Sequence, residues 1–338
     1  MNFKILFALL FGIIVLTASL SSYIFYKNVT TPHTMQGSRI NIEIKKGVSS
    51  KDISTLLLQK GLIGDSLAFN LLARIRGVVS GLKAGEYMLS SEMTPIEILN
   101  KIAKGQVVQH QITIPEGYNI YEIADILQKN NFTQKDTFIA LAFDPDTVKK
   151  LGLNATSLEG YLFPETYSFE KNVSDYEILK KMVDTFKKKI MTHEIKADME
   201  KSKLSFHEMV TLASVIEKET GKEEERPLVS AVFHNRLKKK MRLQSDPTVI
   251  YALKDFDGNI RKKDLKVDSP YNTYRYGGLP PGPIANPGLN SIKTALRPAN
   301  VNYLYFVSKK NGEHKFSSNL KEHNRAVLKY QKRRRNSK

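Results

Sequence analysis

The sequence predicts an α+β protein held by an N-terminal transmembrane helix, and three observations carry that prediction. Residues 5–26 contain no charged side chain. Residues 39–114 alternate short period-two runs with amphipathic stretches, each closed by glycine. From Thr133 onward helical periodicity dominates, interrupted by Pro and Gly crowding at 277–288. The organisation expected is a tail at 1–4, an anchor at 5–26, a polar linker at 27–38, a β/α region at 39–105, a mostly helical α+β catalytic domain at 106–331, and a basic tail at 332–338.

The anchor comes first. A short basic start, with Lys4, precedes the uncharged run, and Lys27 ends it. At about 1.5 Å per residue such a run crosses a hydrocarbon core of ~30 Å. A cleaved signal peptide is the competing reading, with Thr17-Ala18-Ser19 as its small-residue site. The apolar return at Tyr23-Ile24-Phe25-Tyr26 favours the anchor. Flanking charge says little about orientation. An N-terminal anchor followed by everything else puts the bulk of the chain on the extracytoplasmic side of the inner (cytoplasmic) membrane.

Local signals place the elements that follow. Residues 39–46 alternate Ile40, Ile42 and Ile44, a strand. Ser49 or Ser50 caps a helix to about Lys60, stopped by Gly61, and Asp65 caps the next, ending near Gly77. Residues 82–89 read as a strand. Thr94-Pro95-Ile96-Glu97 supplies an N-cap, a first-turn proline and a capping-box glutamate for a helix to Gly105, and residues 106–114 read as another strand. Ile44, Gly47, Ile53, Leu56 and Leu57 recur 70 positions later as Ile114, Gly117, Ile123, Ile126 and Leu127. Each copy is a strand, a glycine turn and a helix. The βααβ order of 39–89 resembles a LysM-like module, a glycan-binding unit. Residues 174–200 form a basic amphipathic helical region, expected to be a solvated face. Residues 302–307 read as a short strand, and the tail 332–338 as frayed.

The chain has no cysteine, which excludes disulfides and thiolate metal sites, and its net charge is +18. Such an excess favours polyanions. A membrane anchor argues against nucleic acid and points to wall polymer carboxylates or the membrane surface.

Glycosidic cleavage needs an acid for the leaving oxygen and support for an oxocarbenium-like centre. A carboxyl whose pKa is raised by burial serves. Glu217 sits among Val210, Leu212, Ala213, Val215 and Ile216 on an expected helix over about 207–220. Glu219 flanks the same apolar stripe; two positions apart, the side chains diverge, and the pattern does not choose between them. Gln244, Ser245 and Asp246 precede Pro247 in an expected exposed turn. Tyr271, Asn272, Thr273 and Tyr274 interleave rings, an amide and a hydroxyl, a composition suited to a sugar groove. Glu159 and Glu165 bracket 160–164 and either orient a loop or bind substrate. His207-Glu208 begins a zincin-like pattern, but Thr211 stands where the second histidine belongs. Nucleotide-binding and nucleophile-elbow motifs are absent, so neither metal nor cofactor is expected.

Five stretches carry a further signal: VIEKET at 215–220, RLQSDPTVIYAL at 242–253, SPYNTYRYGGLPPGPIANPG at 269–288, LEGYLFPETY at 158–167 and NLKEHN at 319–324. In this order they resemble the MltG/YceG-like family of membrane-anchored endolytic murein transglycosylases. The resemblance implies that Glu217 is the essential acid. It would protonate the leaving GlcNAc oxygen, then take the proton of the MurNAc 6-hydroxyl as that oxygen closes onto C1, leaving 1,6-anhydro-MurNAc. It also implies endolytic cutting of nascent peptidoglycan glycan strands near the synthetic machinery, with peptidoglycan synthases (penicillin-binding proteins) as partners. Two rival functions remain: a non-catalytic peptidoglycan-binding scaffold, and a muramidase-type hydrolase using a second carboxylate such as Glu159 or Asp246.

Overall fold

A computed structural model describes residues 3–253 and 256–331 of the chain; the expected basic tail at 332–338 lies outside them. Two compact units form, Met1–His110 with Ser168–Asn172, and Gln111–Tyr167 with Val173–Lys338. The short return of 168–172 to the first unit has no signature along the chain.

The first unit begins with α1 (Phe3–Thr30), the one helix among the described residues long and apolar enough to cross a membrane. It runs past the expected anchor end, so residues 27–30 continue the helix instead of starting a linker. Pro32 follows directly and cannot extend it. Strand β1 (Arg39–Ile44) leads to α2 (Ser50–Gln59), α3 (Ser66–Ile75), β2 (Gly85–Ser90) and α4 (Pro95–Lys104). Ser49 is the cap of α2, Asp65 accepts from two amides of α3, and Thr94 and Glu97 close a reciprocal capping box on α4. β1 and β2 pair antiparallel, with Arg39 opposite Ser90 and Ile44 opposite Gly85. β2 starts later than the expected 82, and residues 82–84 link it to a 3-10 turn at Val79–Gly81. Ile42, Ile44, Leu57, Phe69, Tyr87 and Ile98 fill the core beneath this sheet.

Strand β3 (His110–Thr113), shorter than the strand expected over 106–114, carries the chain from the first unit into the second. Helices α5 (Ile120–Lys129), α6 (Lys135–Ala142) and α7 (Pro145–Lys150) follow, then β4 (Thr166–Phe169), which pairs with β3. The basic region 174–200 is two helices, α8 (Asp175–Ile190) and α9 (His193–Lys201), separated at Met191. Next come α10 (Phe206–Glu219), α11 (Arg226–Lys238), α12 (Asp246–Ala252) and α13 (Leu289–Leu296). The antiparallel hairpin β5 (Tyr305–Ser308) and β6 (His314–Ser317), then α14 (Leu320–Tyr330), complete the described chain.

Helix α10 is the centre of this unit. Met209 to Ile216 are all buried, so the helix is surrounded on every side. Its start is fixed by a capping box between Ser205 and Glu208, so the glutamate of the His207-Glu208 pair serves as a helix cap. The Pro/Gly-rich segment is buried from Gly282 to Gly288. Its backbone is satisfied by specific partners, as a buried irregular segment requires. Gly117 N donates to Asn286 O, Asn286 N donates to Tyr118 O, and Ile284 N donates to Ser214 Oγ. The two sequence copies are both realised as strand, turn and ten-residue helix, with Gly47 and Gly117 at φ of 82° and 77°. That left-handed conformation suits glycine.

Candidate active site

The last turn of α10 delivers Glu217, Lys218 and Glu219 to three different surroundings. Glu217 is enclosed, its side chain 6% exposed. Its Oε1 accepts from Arg226 Nη2 at 3.0 Å and its Oε2 from the Gly288 amide at 2.9 Å. Arg226 begins α11 and is itself buried; its Nε and Nη1 have no hydrogen-bond partner. Gly288 is the N-cap of α13, so an amide at that helix's positive end points at the carboxylate.

A second carboxylate stands beside this pair. Glu116 lies 3.8 Å from the same Arg226 Nη2 and is half exposed. Its carboxylate occupies the space where a side chain at Gly288 would begin. Gly288 has ordinary extended dihedrals, so it is glycine's size and not its flexibility that the site uses. Burial, and then the negative charge of Glu217, push the Glu116 carboxyl above its usual range, against the pull of Arg226. Sequence reasoning missed Glu116. The available signal was its place directly before Gly117, at the turn of the second repeat.

Lys218 turns outward, and its Nζ donates to Gly117 O at 3.1 Å. It lines a cleft of about 790 Å³ with Asn119, Tyr121, Pro247, Tyr251 and Ile284. Gly117 borders both regions: a Cβ there would lie 3.4 Å from Glu217 Cγ and 3.6 Å from Lys218 Cδ. Rings, an amide and an ammonium around one cleft suit a sugar.

Glu219 faces elsewhere. Its Oε1 accepts from Ser245 Oγ at 2.5 Å. Burial pushes its carboxyl up to about 7, opposed by the Ser245 bond and reinforced by Asp246. It borders a cleft of about 520 Å³ with Arg236, Gln244, Asp246 and Tyr274. Tyr274 donates to Asp246 Oδ1 at 2.5 Å, and Gln244 adopts a positive φ of 51°. Gln244, Ser245, Asp246 and Tyr274 therefore gather around Glu219, not around Glu217.

Several of those residues have other duties. The 244–246 stretch is no simple exposed turn: Ser245 is buried, and Asp246 starts α12. Asn272 is fully enclosed and spends its amide hydrogens on Leu265 O and Val267 O. Thr273 is also buried, its hydroxyl accepting from the Ser245 amide. Both hold the loop and line no groove. Tyr271 is partly buried, its ring 5.0 Å from that of Tyr251. Glu159 is enclosed at 1% exposure. It accepts from the Ile120 amide, Tyr251 OH and Asn286 Nδ2. Burial pushes it up to about 8 against those bonds. Its carboxyl is held by those three donors inside the unit. Asn286, another residue missed in the sequence, ties Tyr118, Glu159 and Leu162 together from inside the buried segment.

Fold and site together define an α+β protein with an apolar N-terminal helix and a clamped carboxylate at the end of a buried helix. The chain belongs to the YceG-like family, whose model matches residues 42–329. It is 40% identical over 307 residues to the endolytic murein transglycosylase of Bacillus subtilis, a match covering 86% of this chain and 84% of that protein. It is 31% identical over 323 residues to the endolytic murein transglycosylase of Streptococcus pneumoniae, covering 86% of this chain and 58% of that longer relative. A 2.6 Å crystal structure of a yceG-like protein from Listeria monocytogenes matches with a TM-score of 0.60 at 38% identity, over 85% of this chain and 98% of that one.

Proposed function

We propose that this protein is a peptidoglycan lytic transglycosylase that cleaves the β-1,4 bond between MurNAc and GlcNAc, with Glu217 as its acid and base. The relatives named murein transglycosylases support the reaction class. The observation that carries the residue assignment is the enclosed Glu217 carboxyl, held by Arg226 and the Gly288 amide, one residue before Lys218 of the 790 Å³ cleft.

The reaction balances on one carboxyl group. Glu217 gives its proton to the GlcNAc O4 as the MurNAc C1–O4 bond breaks. The carboxylate then takes the proton from the MurNAc 6-hydroxyl as O6 bonds to C1. The acid is regenerated and no water is consumed, so the second carboxylate that a hydrolase needs for water activation is not required. An oxygen that accepts from an N–H cannot offer a proton along the same line. Each Glu217 oxygen accepts one donor and keeps a second lone pair, so the proton is carried on an open site while Arg226 and the Gly288 amide stay in place, and Glu116 shares the Arg226 guanidinium. After transfer, Arg226 and Gly288 hold the carboxylate, a preorganised arrangement of the kind that lowers barriers.

The apolar helix α1 serves as a single-pass anchor in this reading, with the second unit outside the cytoplasm. The first unit, βααβ in order, is read as LysM-like and adds glycan affinity; a groove of about 430 Å³ bordered by Arg39, Ser90, Glu92 and Glu97 is its candidate surface. Arg39→Ala should weaken sacculus pull-down and leave product chemistry unchanged. Strand termination close to peptidoglycan synthases follows from the endolytic reading, and co-purification with a penicillin-binding protein tests it. The central experiment is a sacculus digest analysed by mass spectrometry. Ends lighter by one water than reducing ends support the lytic reaction. Reducing ends alone would make the protein a hydrolase, and an absence of products with retained binding would make it a scaffold.

A further inference from the structure

Helix α3 is apolar on two faces. Ala68, Phe69, Leu72 and Ala73 enter the core of the first unit. Leu67, Leu71 and Ile75 form a second row at i, i+4 and i+8, and they are 79%, 47% and 65% exposed. An uncovered apolar row of this length marks an interaction surface. Residues 66–76 contain no acid, and Arg74 and Arg76 stand exposed at the helix end.

The position of α3 identifies what covers the row. The end of α1 is built into the same unit: Val29 is in its core and Phe25 packs against it. Asn28 Nδ2 donates to Oδ2 of Asp65, the N-cap of α3, at 3.4 Å, and His33 lies against Gly64. Helix α3 therefore starts level with the point where the uncharged stretch gives way to Lys27. Tyr23 and Tyr26 are exposed at that level, where aromatic residues mark a bilayer boundary.

We propose that α3 lies in the membrane surface, with Leu67, Leu71 and Ile75 in the headgroup–acyl boundary and Arg74 and Arg76 among anionic lipid phosphates. Interfacial helices with an apolar face sink about 5–10 Å into that boundary, and juxtamembrane arginines gain from anionic lipid. The inference rests on α1 being the membrane anchor. Its consequence is a two-point attachment: with α1 alone, helix and first unit can tilt together against the bilayer, whereas α3 fixes which side of that unit faces it.

The absence of cysteine in the chain allows single-site spin labelling of the full-length protein. Labels at Leu71→Cys and Ile75→Cys are compared with Ile14→Cys inside α1 and Thr55→Cys on the exposed side of α2. The protein is reconstituted in phosphatidylglycerol–phosphatidylethanolamine vesicles, and relaxation by oxygen is set against relaxation by a water-soluble nickel chelate. Labels at 71 and 75 should favour oxygen as position 14 does, while position 55 favours nickel. If 71 and 75 behave like 55 while 14 reads as lipid, the α3 inference is overturned and the anchor stands. Should position 14 also read as aqueous, the anchor falls and the inference with it. Dipolar broadening at 71 that disappears on dilution with unlabelled protein would show a second copy covering the row, which also overturns the lipid assignment.

Discussion

Glu217 and Glu219 leave the same helical turn and meet opposite environments. Glu217 offers both oxygens to donors, one of them a guanidinium, within reach of a second carboxylate. Glu219 meets a neutral hydroxyl and a buried wall, and retains its proton to about 7. Burial alone favours Glu219 as the acid of a neutral-pH reaction. The surroundings of Glu217 favour a group that changes charge during a reaction, because donors are already placed for its carboxylate. The comparison teaches that a raised pKa is one route to catalysis and that a charge-receiving clamp is another.

The sharpest break in the comparison is Glu217→Gln against Glu219→Gln. The first should reduce glycan cleavage by roughly 10²–10⁴-fold, because general acid–base transfer is lost. The second should cost far less in turnover. Equal losses, with unchanged melting temperatures, would remove the distinction between the two sides. Gly288→Ala comes next. Its methyl group displaces the Glu116 carboxylate, the far end of a flexible, half-exposed side chain, from beside Arg226 at a small loss of stability. Chemical denaturation should report that loss, and sacculus digestion should report a fall in activity larger than that of Glu219→Gln.

Glu116→Gln tests whether the second carboxylate tunes the first. Glu116 shares the Arg226 guanidinium with Glu217, so turnover should fall and the acid limb of the pH–rate profile should move. An unchanged profile would reduce Glu116 to a space-filling role. Glu159 bears on stability and not on turnover: its folded pKa of about 8 lies above the ordinary carboxylate value. Below about pH 4.5 both folded and unfolded states hold the proton. Between there and pH 8 the unfolded state loses it first, so stability falls as pH rises, by at most about 1.4 kcal/mol per pH unit from this group. Melting temperatures of Glu159→Gln should fall less steeply over that window than those of the parent. Parallel curves would show that Glu159 does not retain its proton.

Much of the fold was legible because its signals are local. Ser49, Asp65 and the Thr94–Glu97 pair cap their helices as their chemistry requires. The repeat around Gly47 and Gly117 folds twice into the same turn. Boundaries were less legible: α1 outran its expected end because nothing before Pro32 stops a helix, and β3 is shorter than the apolar pattern suggested. Site residues were least legible. Asn272 and Thr273 have the composition of a sugar groove, yet their polar groups are used internally. A donor or acceptor serves a buried loop as readily as a ligand, and composition cannot separate the two uses.

The sequence by itself determined the apolar N-terminal helix, the capped elements, the apolar identity of α10 and the presence of two glutamates at its end. Periodicity and capping act over a few residues and survive in a linear reading. Only the tertiary structure decided which glutamate meets Arg226, that Glu116 stands beside it, and that Asn286 ties a buried proline-rich segment to Glu159. The Glu116–Arg226 and Asn286–Glu159 contacts join segments far apart in the chain. Their partners are chosen by packing and by the need to satisfy every enclosed polar group, conditions that exist only once the chain has closed on itself.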